Sequence, residues 1–414
     1  MLTNQIFSVA LGIKDPWFVE EINLDDDAKR LDIYVSFRRG SVFTSNRSTY
    51  SGEYKVYDSQ VKTWRHMNFF EYECYLHCKT PRIDLGDGKT EVVKPPWAGL
   101  SNGFTLLFEA FIIQLCTIST PKSASQLLGI HDTMIWRLLE KYVIGARAEE
   151  DFSHVSKIGI DETSLKKNHD YITLFVDLDN RQTMFATDGK DSETVKRFAA
   201  DLRRHKGKAG NIENVSIDMS PAFIKGVNEN LPNAEITFDK FHLIKAISEA
   251  VNNVRKEEAT EQPLLKGTRY IFLKNEQNLT GYQRTILDEI KLSKYKLKSY
   301  RALRIREAFQ DIYKAPSKDV FEMMLKEWYF WATHSRLEPI KAVAKMIKSH
   351  WEGILSWFTS RISNGILEGL NSVIQAAKAK SRGFKSFRYF RTMVYLLTGN
   401  FDYNKINKYY VPIK

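Results

Sequence analysis

Five stretches between residues 157 and 244 decide the fold: KIGIDETSL (157–165), DYITLFVDLD (170–179), RQTMFATDG (181–189), NVSIDMSPAF (214–223) and AEITFDKFHLI (234–244). Each holds a short apolar run next to turn residues, which predicts a strand. A capping-box pattern at Asp191 or Ser192 predicts an amphipathic helix over 192–205, and Ser220-Pro221 predicts the start of another. The order is three strands, helix, strand, helix, strand. It indicates an α/β fold with a ribonuclease-H-like core, although other α/β folds share this order.

The segments on either side have different patterns. Residues 1–100 are β-leaning, with strand-like alternation at 31–37 and 53–57. An apolar helix is predicted over 104–118, and SASQLLGIHDTMIWRLLEKYV (123–143) predicts either a helix-turn-helix or an ordinary helical hairpin. Residues 243–362 have an almost entirely helical pattern, which predicts a large α-helical insertion or a separate domain. A final helix over 364–380 precedes a basic tail.

Composition excludes several protein classes. The chain has 414 residues, of which 43% are hydrophobic and 27% charged, and this balance excludes general disorder. The apolar stretch 104–118 is shorter than the roughly 20 residues of a membrane span, and the N-terminus is a poor signal peptide. Three cysteines cannot form a disulfide framework. We therefore expect a soluble cytoplasmic protein, and its net charge of +11 is compatible with a polyanionic partner.

Two aspartates follow apolar runs at matching places. Asp161 follows Ile-Gly-Ile, and Asp218 follows Val-Ser-Ile, so each lies at or near the end of a predicted central strand. Open α/β sheets place their active sites there. Two neighbouring carboxylates repel each other unless they share a divalent metal. The alternative is that each aspartate only caps the following turn or helix.

Further polar residues are candidates for the same site. Glu368 heads the last predicted helix, where Asn371 falls on the same face at i+3, and an exposed surface glutamate is the alternative. Asp239 ends the fifth predicted strand and is a candidate supporting acid. His242 is interpreted as a supporting residue whose simpler role is hydrogen-bonded packing.

These motifs together resemble the bacterial insertion-sequence DDE transposases of the ISL-three type. The resemblance rests on GIDETSLKK with Asp161, SIDMSPAF with Asp218, FDKFHL, and the long segment HWEGILSWFTSRISNGILEGLNSVIQAAKAKSRGFKS with Glu368. Upstream, YDSQVKTWRHMNFFEY, LHCKTPRI and PPWA are similar to that family's N-terminal module. The similar motifs occur in the same order over nearly the whole chain.

The resemblance implies a domain order and a reaction. It implies a ribonuclease-H-like core split by a helical insertion, and cut-and-paste DNA transposition. Asp161, Asp218 and Glu368 would be both catalytic residues and ligands of Mg²⁺ or Mn²⁺, with two ions expected. The expected partners are double-stranded DNA, as terminal inverted repeats and as target, and a second copy of the chain in a homodimer. The protein would be associated with the nucleoid when bound. The domains expected from motifs and resemblance are a β-rich module (1–100), a helix-turn-helix (101–150), a core (151–244 and 363–400), an α-helical insertion (245–362) and a tail (401–414).

Two other functions stay open. One is a catalytically silent DNA-binding regulator descended from such an enzyme. The other is a structure-specific nuclease on the same core, which would cut DNA without joining strands.

The N-terminal module departs from the family pattern at its metal ligands. Where that family carries zinc-binding Cys and His pairs, this chain has FTSNRST (43–49) and DLGDGKT (84–90). Cys74 and Cys78 lie between these stretches, and two cysteines do not complete a zinc tetrahedron. We therefore predict that no structural zinc is bound.

Two acid-free basic clusters are candidate DNA contacts. Residues 291–306 contain seven basic residues and residues 378–391 contain six, with aromatic residues interleaved. A solvated helix face is the alternative for each, but phosphate contact is favoured because one cluster directly follows Glu368. The residues named as DNA-binding are Lys294, Lys298, Arg301, Lys378, Lys380, Arg382, Lys385, Arg388 and Arg391.

Overall fold

The computed structural model describes residues 2–86, 88–101, 103–165, 171–292, 297–362 and 365–403. It divides into two compact units. The first comprises Met1–Ala148 with Phe401–Lys414, and the second comprises Glu149–Asn400. Lys294, one of the residues predicted to bind DNA, lies outside the described residues. The five finer domain boundaries expected from the sequence stay predictions.

The first unit begins with a short helix and a six-stranded sheet. The sheet order is β1-β2-β5-β4-β3, with β6 paired to β5. The predicted strands at 31–37 and 53–57 are found within β2 and β4. The bounds are α1 (Leu2–Ala10), β1 (Trp17–Asp25), β2 (Arg30–Phe37), β3 (Val42–Thr44), β4 (Glu53–Arg65), β5 (Glu73–Gly86) and β6 (Lys89–Val92).

Three helices complete the first unit: α2 (Leu106–Ile118), α3 (Pro121–Leu128) and α4 (Asp132–Ala148). Thr120 caps the start of α3, and Gly129 ends it at a φ of 65°, a conformation that glycine adopts without strain. The fully buried Glu109 of α2 accepts a hydrogen bond from the Tyr142 hydroxyl of α4 at 2.6 Å. Its carboxylate therefore links α2 to α4, the second helix of the predicted helix-turn-helix.

The second unit is built on a five-stranded sheet in the order β11-β10-β7-β8-β9. Strands β7, β8 and β9 pair antiparallel, whereas β10 lies parallel to both β7 and β11. All five predicted strands are present, and the helices between them begin where the caps predict. The bounds are β7 (Lys157–Ser164), β8 (Tyr171–Asp177), β9 (Gln182–Asp188), α5 (Ser192–Arg204), β10 (Asn214–Ile217), α6 (Pro221–Asn230) and β11 (Glu235–Phe238).

A long helical segment follows β11, and its described residues contain no strand. The helices are α7 (Lys240–Glu258), α8 (Arg269–Leu273), α9 (Gly281–Leu292), α10 (Lys298–Ile312), α11 (Lys318–Thr333), α12 (Glu338–Ser349) and α13 (Trp351–Ser360). Helix α13 lies close to β11, where the Ser356 hydroxyl donates to the Ile236 carbonyl at 2.7 Å. One apolar core contains both sheet residues and helical residues, so these helices pack with the sheet as one body.

Two helices close the second unit: α14 (Gly365–Lys380) and α15 (Phe387–Thr398). The Tyr395 hydroxyl of α15 accepts a hydrogen bond from the backbone N–H of Ala186 in β9 at 3.0 Å. Across the described part of the chain, no helix combines the length and the apolar character required to span a membrane.

Candidate active site

Carboxylates gather at one edge of the second unit's sheet. Asp161 lies on β7, Asp218 directly follows β10, and Asp239 directly follows β11. Because these three strands are parallel neighbours, their carboxyl ends meet at the same edge. The two aspartates predicted to be catalytic are therefore on adjacent strands, with Asp239 on the next.

A cavity of about 650 Å³ opens at this edge. Its polar lining includes Asp161, Glu162, Asp239, His242, Glu368 and Asn371. Five of the six residues predicted as catalytic or supporting thus line one cavity. The sixth, Asp218, is close enough that its charge raises the pKa of Asp161 and of Glu162.

The cavity is electrostatically unfavourable for its own carboxylates. Burial raises the pKa of Asp161, and the negative charges of Asp218 and Asp239 raise it further. The hydrogen bond from the backbone N–H of Glu162 and the charge of His242 act in the opposite direction and lower this pKa. Burial and the charge of Asp218 also raise the pKa of Glu162. A cation in this cavity would relieve this repulsion and favour the ionised acids.

Short hydrogen bonds fix these aspartates. The Asp161 carboxylate accepts from the backbone N–H of Glu162 at 2.8 Å and from the Asn371 side-chain amide. Asp218 accepts from the backbone N–H of Ser220 at 3.0 Å. The Asp218 contact is the local turn contact expected of a capping aspartate. Asp161 instead lies within β7, which continues to Ser164, so it does not cap a turn at a strand end as the alternative interpretation expected.

Asp239 and His242 form a pair at the start of α7. Asp239 caps the helix by accepting from the Phe241 N–H at 2.9 Å, and its other oxygen lies 2.8 Å from His242 Nδ1. This hydrogen bond raises the pKa of His242 above its ordinary value of 6.5, against the effect of burial. The pair therefore places beside the acids an imidazole whose protonated form is favoured.

Glu368 is exposed in the first turn of α14. Its helix lies along β7, where Asn371, Gln375 and Lys378 all donate to residues of that strand. Glu162 was not predicted as a site residue. The signal available in the sequence was its position directly after Asp161, but strand alternation predicts that it points to the opposite face.

The residues present fit a hard divalent cation by their chemistry. The cavity offers carboxylate and amide oxygens, which are the ligands that Mg²⁺ prefers. The Asn371 Oδ1 atom is buried and, among the described atoms, has no hydrogen-bond partner. No three His, Cys, Asp or Glu side chains within the described residues are gathered closely enough to hold a metal ion, so the ligand set is a proposal based on donor type.

The cysteines of the first unit lie in its apolar core. Cys74 and Cys78 are buried on β5, and burial raises the pKa of each thiol to about 12. Residues at i and i+4 of a strand share one face, so His77 faces the other side, where Nε2 contacts Asp32 at 2.5 Å. Zinc binds the thiolate, and the burial of both side chains in the apolar core disfavours that charged form.

We expect the purified protein to contain less than one zinc ion per ten chains, because the two thiols are packed in the core. The unfolding midpoint of the first unit should not change when a strong chelator is added. Elemental analysis and chelator titration followed by circular dichroism check this. One zinc per chain, lost together with structure, would contradict the prediction.

The two basic clusters differ in three dimensions. In the cluster 291–306, Lys291 pairs with Glu276 and Asp288, and Arg304 pairs with Glu307. Arg306 is buried and donates to two backbone carbonyls. Although residues 291–306 contain no acidic residue, several of their basic side chains are therefore paired or buried in the fold. Lys298 and Arg301 are exposed on α10.

The cluster 378–391 surrounds a groove of about 570 Å³ at the end of α14. Lys378, Arg382 and Lys385 line it together with Gln375 and Phe384. Lys378 also donates to the Ser164 carbonyl at 2.6 Å and to the Ser164 hydroxyl at 3.0 Å, which leaves one of its three N–H groups for another acceptor. The same cluster has three further exposed basic residues on α14 and α15: Lys380, Arg388 and Arg391.

Comparison with known proteins gives consistent matches. A family profile described as "Transposase", of the ISL3-type DDE group, matches residues 158–394. A second profile, described as "Helix-turn-helix domain of transposase family ISL3", matches residues 93–143. The transposase for insertion sequence element IS1001 of Bordetella parapertussis is 27% identical over 348 residues, covering 81% of this chain and 84% of that protein. The transposase for insertion sequence element IS1557 of Mycobacterium tuberculosis is 25% identical over 419 residues, covering 92% of each chain.

Proposed function

Because the chain belongs to the ISL3 family of DDE insertion-sequence transposases, we propose that it cuts the DNA at the ends of its element and joins them to target DNA. The observation that supports this most directly is the cavity at the edge of the sheet, which both Asp161 and Glu368 line. Asp218 lies close enough for its charge to raise the pKa of Asp161. These three residues are the proposed catalytic acids. The sheet order, with three antiparallel strands followed by two parallel ones, supports a ribonuclease-H-like core.

The proposed helical insertion comprises residues 245–362. In sequence it separates Glu368 from the two aspartates, whereas in the fold α14 returns to β7. Helix α13, which precedes α14 in the chain, packs on β11 and so brings the chain back to the sheet. The insertion therefore supports the site by bringing α14 back to the edge of the sheet.

Asp161, Asp218 and Glu368 would hold Mg²⁺ or Mn²⁺, with two ions expected. A bound divalent cation would polarise the scissile phosphodiester and favour ionisation of the attacking hydroxyl. The chain's own residues orient the acids: Asn371 and the Glu162 N–H fix Asp161, and Asp239 is fixed by its cap and by His242. The raised pKa values of Asp161 and Glu162 indicate carboxylates that gain from a cation.

DNA binding is divided between two parts of the chain in this proposal. The proposed helix-turn-helix of α3 and α4, which the profile match at residues 93–143 supports, would recognise the terminal inverted repeats. The basic groove beside α14 would contact the phosphates next to the cleaved bond. Lys378 lies on the helix that carries Glu368, and Arg382 and Lys385 follow directly after the end of that helix. Two element ends are joined in one reaction, so we propose that a homodimer performs it.

The Lys385→Ala variant is expected to lower the salt dependence of DNA binding. Losing one phosphate contact reduces the slope of log affinity against log salt concentration by about 1. Fluorescence anisotropy with an end-containing duplex at several salt concentrations measures this slope. Lys326→Ala is the matched control, because Lys326 is paired with Glu322 on α11. Equal slopes for Lys385→Ala and wild type would remove the groove from the DNA-binding surface.

A further inference from the structure

Helix α14 lies along β7 in a fixed register. Asn371 donates to Asp161, Gln375 donates to the Thr163 hydroxyl, and Lys378 donates to Ser164. The contacts progress along both elements in the same direction. Each contact joins a residue of the helix that carries Glu368 to the strand that carries Asp161.

The spacing of these contacts has a geometric basis. Four residues of an α-helix advance by about 6 Å, and two residues of a strand advance by about 6.6 Å. Side chains at i and i+4 of α14 can therefore contact alternate residues of β7. The pairs Asn371–Asp161 and Gln375–Thr163 follow this match.

A glycine brings the two elements together at the start of this series. A Cβ atom built on Gly159 would lie 2.7 Å from a side-chain carbon of Leu367, far inside van der Waals contact. Leu367 is buried and directly precedes Glu368. The absence of a side chain at 159 thus lets Leu367 pack on β7, one helical turn before Asn371.

We infer that Gln375 and Lys378 are positioning residues that, through Thr163 and Ser164, set the register of α14 on β7 and hold Glu368 at the cavity that Asp161 lines. This inference rests on the proposed function. Neither residue lies among the proposed catalytic acids. A slip of α14 by one residue would move Glu368 by about 1.5 Å along the helix axis and rotate it around that axis. A displacement of this size lowers a reaction rate by about 10²-fold.

The Gln375–Thr163 pair gives the sharpest test. Gln375→Met and Thr163→Val each remove one partner of the hydrogen bond while nearly conserving side-chain volume. Each is expected to lower the rate of Mg²⁺-dependent cleavage by about 10-fold, and to raise the Mg²⁺ concentration for half-maximal rate. The double variant should lose no more than either single variant, because both remove the same contact. Rates are measured at saturating end DNA, because Gln375 also lines the basic groove and its substitution can change the affinity for DNA.

Two further variants separate positioning from a general structural role. In Gln375→Glu, the Thr163 hydroxyl can donate to the new carboxylate, so this variant is expected to recover most of the lost rate. Ser372→Ala changes an exposed residue of the same helix and should behave as wild type. Rates are compared per folded molecule, with the folded fraction taken from circular dichroism, so that loss of stability alone cannot produce the result.

The outcomes distinguish this inference from the function on which it rests. Reduced rates, a shifted Mg²⁺ requirement, non-additivity and recovery by Gln375→Glu support it. Wild-type rates and an unchanged Mg²⁺ requirement in Gln375→Met would overturn the positioning role and leave the transposase function standing. A wild-type protein that cuts no end DNA would overturn both.

Discussion

Asp161→Asn, Asp218→Asn and Glu368→Gln are each expected to lower the rate of Mg²⁺-dependent DNA cleavage by about 10³-fold or more. Metal-assisted charge stabilisation contributes several kcal/mol, and each 1.36 kcal/mol corresponds to about a tenfold change in rate. Each substitution keeps the size of the side chain and removes one anionic oxygen. Gel assays on a labelled duplex that contains an element end measure the loss.

Binding of end DNA by these three variants should remain at wild-type affinity, because the helix-turn-helix belongs to the other unit of the fold. Glu235→Gln is the matched control. Glu235 is an exposed acid at the opposite end of β11 from Asp239, so its loss should change neither binding nor cleavage. Undiminished cleavage by any of the three variants would remove that residue from the proposed site.

Arg306→Met is expected to lower the free energy of unfolding of the second unit by about 3 kcal/mol, because it leaves buried carbonyl groups without a donor. Arg306 is 1% exposed and donates to the Phe272 carbonyl at 2.6 Å and to the Lys274 carbonyl at 2.8 Å. It therefore ties α10 to the end of α8. Urea unfolding followed by circular dichroism measures the change.

Arg304→Met is the control for this prediction. Arg304 lies on the same helix, is exposed, and pairs with Glu307 at 2.7 Å. A surface ion pair of this kind contributes about 0–1 kcal/mol. The salt dependence of DNA binding should be unchanged in Arg306→Met, measured under conditions where the variant is folded. Equal stability of the two variants would contradict the structural role of Arg306.

The strands and the acids at their ends could be predicted from local sequence. Apolar runs ending in Asp161 and Asp218 carry the strand signal and the site signal within a few residues. Asp239 and His242 could be found in the same way, because strand β11 and helix α7 meet at Asp239 and His242 lies in the first turn of α7. For these strands and helices, the periodicity of apolar residues and the helix-capping residues were sufficient to predict the structure.

Contacts between distant segments were not accessible in this way. The Gln375–Thr163 contact joins residues 212 positions apart, and no local pattern encodes it. The acid-free stretch 291–306 misled partly for this reason, since Lys291 pairs with Glu276, 15 positions away. The pairs of Lys291 with Asp288 and of Arg304 with Glu307 are local, at a spacing of three residues, and their acids lie just outside the stretch. Glu162 was missed because strict alternation placed it on the other face of β7.

The central claim is tested most directly by incubating the wild-type protein with a duplex that contains an element end, with and without Mg²⁺. The proposal predicts Mg²⁺-dependent cleavage at the end of the element, a free 3′-hydroxyl there, and products joined to a target duplex. Binding without cleavage would indicate a DNA-binding regulator, and cleavage without joined products would indicate a nuclease. Either result would contradict the account.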